Sequence, residues 1–102
     1  MKNKIVWISL LEMIPLNEKD KVEMDGAVTN GLTVASSMEM ALKTFEKKLL
    51  DLGFQLIASE DTEKYEDRIR RTTVSKELVL LAEEVATSES TLFGTFHTWI
   101  EK

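Results

Sequence analysis

Residues 5–14 read Ile-Val-Trp-Ile-Ser-Leu-Leu-Glu-Met-Ile, and Pro15 closes the run. With a period of two, Ile5, Trp7, Ser9, Leu11 and Met13 share one face, and Val6, Ile8, Leu10, Glu12 and Ile14 share the other. Both faces are mostly apolar, which suits a strand covered from both sides better than one with a wet face. The β-branched and aromatic opening argues against a helix over the same residues. Lys2 and Lys4 ahead of the run imitate the start of a secretory signal. Glu12 interrupts the apolar part of such a signal, however, and residues 17–21 offer no pair of small side chains for cleavage. The run is also shorter than a bilayer span, which takes about 20 apolar residues. The expectation is a cytoplasmic chain whose first strand is buried.

Residues 17–26 form a polar connection that ends in the turn signal Asp25-Gly26. Residues 27–35 then read as a second strand with Val28, Leu32 and Val34 on one side. Asn30-Gly31 inside it fits either the turn of a tight hairpin or a bulge in one continuous strand. The hairpin's arms would be very short, so the continuous strand is preferred. Ser36-Ser37-Met38-Glu39 is a capping-box pattern, with Ser36 as the cap. Met38, Leu42, Phe45, Leu49 and Leu52 follow at spacings of 4, 3, 4 and 3, one apolar stripe of a helix. Gly53 stands where a left-handed terminating residue is expected, and residues 54–58 form the next strand. Strand, helix and strand at this spacing make a right-handed crossover between parallel strands.

Residues 60–71 carry nine charges in twelve positions, acids first and Arg68, Arg70 and Arg71 last. Tyr65, Asp67, Ile69 and Arg71 alternate with Glu66, Arg68 and Arg70, as on a charged edge strand, and a plain surface loop is the alternative. A second helix is expected over residues 76–86, capped by Ser75, with Val74 and Val79 as a hydrophobic staple. Leu78, Leu81, Ala82 and Val85 form its buried stripe. Residues 91–100 read as a last strand with Phe93, Thr95, His97 and Trp99 on one face.

This order describes a single α+β domain over residues 1–102. It is a two-layer, ferredoxin-like βαββαβ sandwich with an extra strand in front. Both helices then lie on one face of a mostly antiparallel sheet. The other face would carry Trp7, Phe93 and Trp99 without cover, a patch that monomers seldom leave wet. Burying it is worth a gross several kcal/mol at about 25 cal/mol per Å². A homodimer or a protein partner is therefore expected there.

Eighteen acids against thirteen bases give a net charge of −5, which disfavours nucleic acid and anionic membranes as partners. With no cysteine and one histidine, thiolate catalysis, disulfides and multi-histidine metal sites within the chain are excluded. His97 is the one side chain with ordinary titration near neutrality, and Thr95 and Trp99 beside it could line a small pocket. As a general base it needs an orienting carboxylate and a concave site, so a strand histidine packed beside Trp99 is the plainer reading. Asp61, Glu63 and Asp67 lack the glycine and the closing glutamate of a calcium loop. Gly26, Gly31, Gly53 and Gly94 are too scattered to cradle a phosphate, and no nucleotide or nucleophile-elbow motif is present. Arg68, Arg70 and Arg71 beside Thr72-Thr73 could hold an anion, the plainer reading being ion pairs with Glu66 and Asp67. Sheet aromatics also suit RNA platforms, but the basic–aromatic alternation is missing and the charge has the wrong sign.

The expectation is a non-catalytic protein-interaction domain without cofactor or metal. It would self-associate or cap a partner through Trp7, Phe93, Thr95, His97 and Trp99. By charge and size alone it also suits a toxin-neutralising immunity protein masking a basic nuclease. The alternative is a regulatory domain holding a small molecule at a dimer interface.

Overall fold

The computed structural model describes residues 4–100, and the doubly apolar segment becomes β1 (Ile5–Pro15), an interior strand. After it comes α1 (Glu18–Glu23), a short helix inside the polar connection, whose cap Asn17 accepts from the Asp20 amide at 2.9 Å. β2 (Gly26–Ala35) is continuous, with Asn30 and Gly31 paired to Leu10 and Ser9 of β1. α2 (Met38–Asp51) is capped by Ser37, one residue later than expected, because the Ser36 hydroxyl turns to the Met40 sulfur instead. Its buried side is Ala41, Phe45 and Leu49; Met38 in the first turn and Leu52 at the C-cap stay exposed. Gly53, at φ +91, ends it in the left-handed conformation that glycine adopts without steric cost.

β3 (Phe54–Lys64) is longer than the expected strand over residues 54–58 and takes up the first charges of the acidic run. Its pairing to β1 shifts twice, and Asp61, at φ 52, sits in the shift between Ile8 and Leu10. Residues 65–71 are neither an edge strand nor a loop but a helix, α3 (Tyr65–Arg71). The order of charges explains this: Glu66 and Asp67 lie in its first turn and Arg68, Arg70 and Arg71 in its last, matching the helix dipole. Arg70 also faces Glu66 and Asp67 at i,i+4 and i,i+3.

α4 (Lys76–Ser88) follows, with Ser75 as its cap and Leu78, Ala82 and Val85 buried. The expected last strand is broken into β4 (Thr91–Phe93) and β5 (His97–Trp99), both paired to β2. Side-chain and backbone bonds hold the break in place. The Thr29 hydroxyl donates to the Gly94 and Thr95 carbonyls at 3.0 and 3.1 Å, and the Gly94 amide donates to the Asn30 carbonyl at 2.8 Å.

The strand order is β3-β1-β2-β4, with β5 on the same edge of β2 as β4 and every neighbouring pair antiparallel. β2 and β3 do run parallel, as a crossover requires, but β1 lies between them. The chain is thus an α+β fold on an open antiparallel sheet, and the two-layer ferredoxin-like plan does not describe it. The helices lie on opposite faces. α2 packs over Trp7, Leu11, Met13 and Ala27, while α4 packs over Ile8 and Leu32. With residues 65–71 helical, the path from β3 to β4 joins antiparallel strands, so the crossover rule does not tie α4 to the side of α2. The Ile8 end of the even face of β1 is then covered by the chain's own α4.

The patch expected to hold Trp7, Phe93 and Trp99 together therefore does not exist. Trp7 is 7% exposed on the α2 side, and its indole N–H donates to the Ala35 carbonyl at 2.9 Å. Phe93 lies on the same side, its ring centroid 6.3 Å from Phe45 and 6.0 Å from Phe96. Trp99 stands on the opposite face.

Gly31 shows how closely α2 is seated. A Cβ there would lie 2.6 Å from Leu11 Cδ1 and 2.8 Å from Phe45 Cε1. Gly31→Ala is expected to destabilise the fold by about 1–3 kcal/mol, read from the denaturation midpoint at unchanged slope. An unaltered midpoint would mean that Phe45 does not rest on this glycine.

Candidate functional site

α4 is too short for the sheet it covers. Its 13 residues extend about 20 Å, whereas the 11 residues of β1 extend about 36 Å. The register locates what is left over. Ala58, Glu12, Val28 and His97 stand in one row across β3, β1, β2 and β5, on the α4 side of the sheet. Next along these strands Trp99 stands opposite Gly26, with Ile14 following Met13 on β1. Leu10 stands opposite Asn30 on the side nearer α4. Leu10, Ile14, Val28 and Trp99 are half-buried and belong to neither core cluster. The Trp99 indole lies against the bare backbone of Gly26, where a Cβ would come within 2.3 Å of its Cζ2.

His97 is exposed at the margin of this open half-face. The nearby carboxylate is Glu77, in the first turn of α4, which accepts from the Thr95 hydroxyl at 2.7 Å and the Thr95 amide at 3.2 Å. These two bonds hold the Glu77 carboxyl below its usual range, against a smaller opposing effect of burial, and the charge of His97 adds least. Glu77 is thus committed to Thr95, and it fastens α4 to the break between β4 and β5.

The three arginines divide between two sets of acids. Arg68 and Arg71 both donate to Glu63, and Arg68 Nη2 also donates to the Asp61 carbonyl at 2.9 Å. Arg70 alone meets the acids expected from sequence, with Glu66 and Asp67 each at 4.0 Å. The hydrogen bond from Arg68, then that from Arg71, lowers the Glu63 pKa, with burial opposing. Glu63 in turn raises that of Arg71.

Forming α3 creates an open groove of about 750 Å³ between α3 and α4. Val6, Ile69, Val74, Val79 and Ala82 line it, with Arg70, Arg71 and Glu83 among its polar residues. Tyr65 also lines it, and burial together with the charge of Glu83 raises the phenol pKa. None of the five residues expected at an aromatic interface borders this groove. Its one signal in the sequence is the order of charges that marks residues 65–71 as a helix.

Among the described residues no three metal-ligating side chains stand together, and no helix is long and apolar enough to cross a membrane. No family model, curated protein or solved structure matches the chain.

The Glu63 cluster yields a pH prediction. A carboxyl whose folded-state pKa is depressed contributes stability above its ordinary value of 4.5, and loses it as pH falls through the folded-state value. Glu63→Gln should therefore melt below the wild type at neutral pH. The gap should close in acid, where the wild-type carboxyl is itself protonated. Thermal unfolding followed across pH checks this, and a gap independent of pH would show that the carboxylate charge contributes nothing.

Proposed function

We propose that this chain is a small, non-catalytic protein-interaction domain that self-associates through the half-face left open by α4. The observation that carries the reading is the position of Leu10, Ile14, Val28 and Trp99. They are large apolar side chains on a regular sheet, outside both cores and beyond the helix that buries the rest of that face. Removing such a surface from water contributes a gross few kcal/mol at about 25 cal/mol per Å², which a second copy can supply without any other component. Of the residues first assigned to an interface, His97 and Trp99 keep that role, Thr95 stands at its margin, and Trp7 and Phe93 become core and near-core residues. A non-catalytic role is supported by Glu77, whose carboxylate serves Thr95 instead of orienting His97. A fold that uses no cysteine is compatible with the cytoplasm.

A second reading, a domain that binds a small regulatory molecule, draws on the α3–α4 groove. Its volume of about 750 Å³ falls in the range of small-ligand sites, and Tyr65, Arg70 and Glu83 supply groups that could orient a ligand. It ranks second because the groove is open and Arg71, one of the two arginines that line it, is already held by Glu63.

Trp99→Ser tests the leading reading. The Trp99 backbone carbonyl accepts from the Asp25 amide at 2.8 Å, a bond the substitution leaves in place. In sedimentation over a concentration series, the wild type should pass from one chain to two, and the variant should stay at one with its circular dichroism unchanged. A wild type that remains a single chain at every concentration would overturn the reading.

A further inference from the structure

We infer that association through the open half-face takes up protons at Glu12, so that two copies hold one another more tightly as the pH falls. This rests on the self-association reading and names how that contact is regulated. The orientation of the second copy does not enter, because a contact that buries Leu10, Ile14 and Val28 must also cover Glu12. On β1, Leu10 and Ile14 stand about 7 Å from it along the strand, one on either side. Val28 is its direct neighbour on β2, and Ala58 its direct neighbour on β3. Glu12 is thus a carboxylate, already half-buried, in the middle of the apolar area whose burial drives the contact.

Loss of water disfavours the charged form of a carboxyl unless an opposite charge compensates it. Among the described residues the half-face carries no lysine or arginine, and a second copy, being identical, brings none. The charged and titratable groups that face Glu12 from the neighbouring elements are Glu60, His97 and Glu77. On β3, Glu60 is paired with Leu10 and so stands diagonally from Glu12, at about 7–8 Å, where its like charge disfavours a second carboxylate. Glu60 also flanks the short way to water, over the small Ala58 toward the outer edge of β3. On β5, His97 shares the row of Glu12 but lies beyond Val28, about 10 Å away, at the exposed margin where its own charge stays in water. On α4, Glu77 lies on the His97 side and is committed to Thr95. Each copy that joins the contact therefore binds a proton that it lacks in water at neutral pH. The association constant rises as pH falls, and the gain is complete below about pH 4, where the free chain carries the proton as well.

The test measures self-association by sedimentation from about pH 7.5 to about pH 5. Acid also lessens the repulsion between two chains of net charge −5, so the series is run in about 0.5 M salt, which screens that repulsion within a few Å. Across this range the wild type should gain about tenfold or more in association constant. Glu12→Gln keeps the shape of the side chain without its charge. It should associate about tenfold more tightly than the wild type at pH 7.5 and lose nearly all dependence on pH. Glu84→Gln removes the same unit of charge from an exposed position of α4 two turns beyond Glu77, and should follow the wild type. His97→Gln should also keep the wild-type dependence, and circular dichroism melts verify that each variant is folded. A pH dependence that survives Glu12→Gln, or that His97→Gln removes, would overturn proton uptake at Glu12. With Trp99→Ser still abolishing association, either result would spare the self-association reading. A wild type that stays a single chain at every concentration and pH would overturn both.

Discussion

β1 has almost no polar side to offer water, and the fold is arranged around that fact. An apolar strand of 11 residues cannot sit at an edge or on a half-solvated sheet without exposing one row of its side chains. The chain resolves this by pairing β1 on both edges, with β2 and β3, and by laying α2 on one face and α4 on the other. Ile8, Leu11 and Met13 are fully buried as a result. Each such side chain contributes roughly 1.5–3 kcal/mol of gross burial, so losing either covering helix would cost a large part of a typical domain stability.

Much of this was legible in residues close together in sequence. The period-two pattern of residues 5–14 calls for cover on both sides, and α2 supplies it on one face and α4 on part of the other. The stripe through Phe45 and Leu49, the glycine at 53 and the Ser75 cap each report a local choice that a few neighbouring residues settle. The failure came at residues 65–71. There the charges alternate as they would on an edge strand, yet they also run from acid to base with Glu66 and Arg70 at i,i+4. Seven residues give too few turns for an apolar stripe to separate the two periods. Reading that segment as a strand forced both helices onto one face. That plan leaves the whole second face of β1 to another molecule, whereas α4 covers its Ile8 end.

The site was less legible because it depends on register. That Glu12, Val28 and His97 share a row follows only from how β1, β2 and β5 align, and that alignment joins residues up to 85 positions apart. The grouping of Glu63 with Arg68 and Arg71 is similar, since it joins the end of a bulged strand to the helix that follows. Aromatic content alone pointed to Trp7, Phe93 and Trp99 as a set. Pairing separates them, because Trp7 and Thr33 face α2 while Gly26 and Trp99 face the other way. What survives is a smaller open area, set by the mismatch between a helix of about 20 Å and strands of about 36 Å.

The central claim is that this uncovered half-face, and not the α3–α4 groove, is where the protein makes contact. Backbone and side-chain NMR signals recorded at increasing protein concentration address it most directly. Leu10, Val28, His97 and the Trp99 indole should shift together along one binding curve while Tyr65, Ile69 and Val79 stay fixed. Shifts confined to the groove residues, or none at the open half-face, would contradict it.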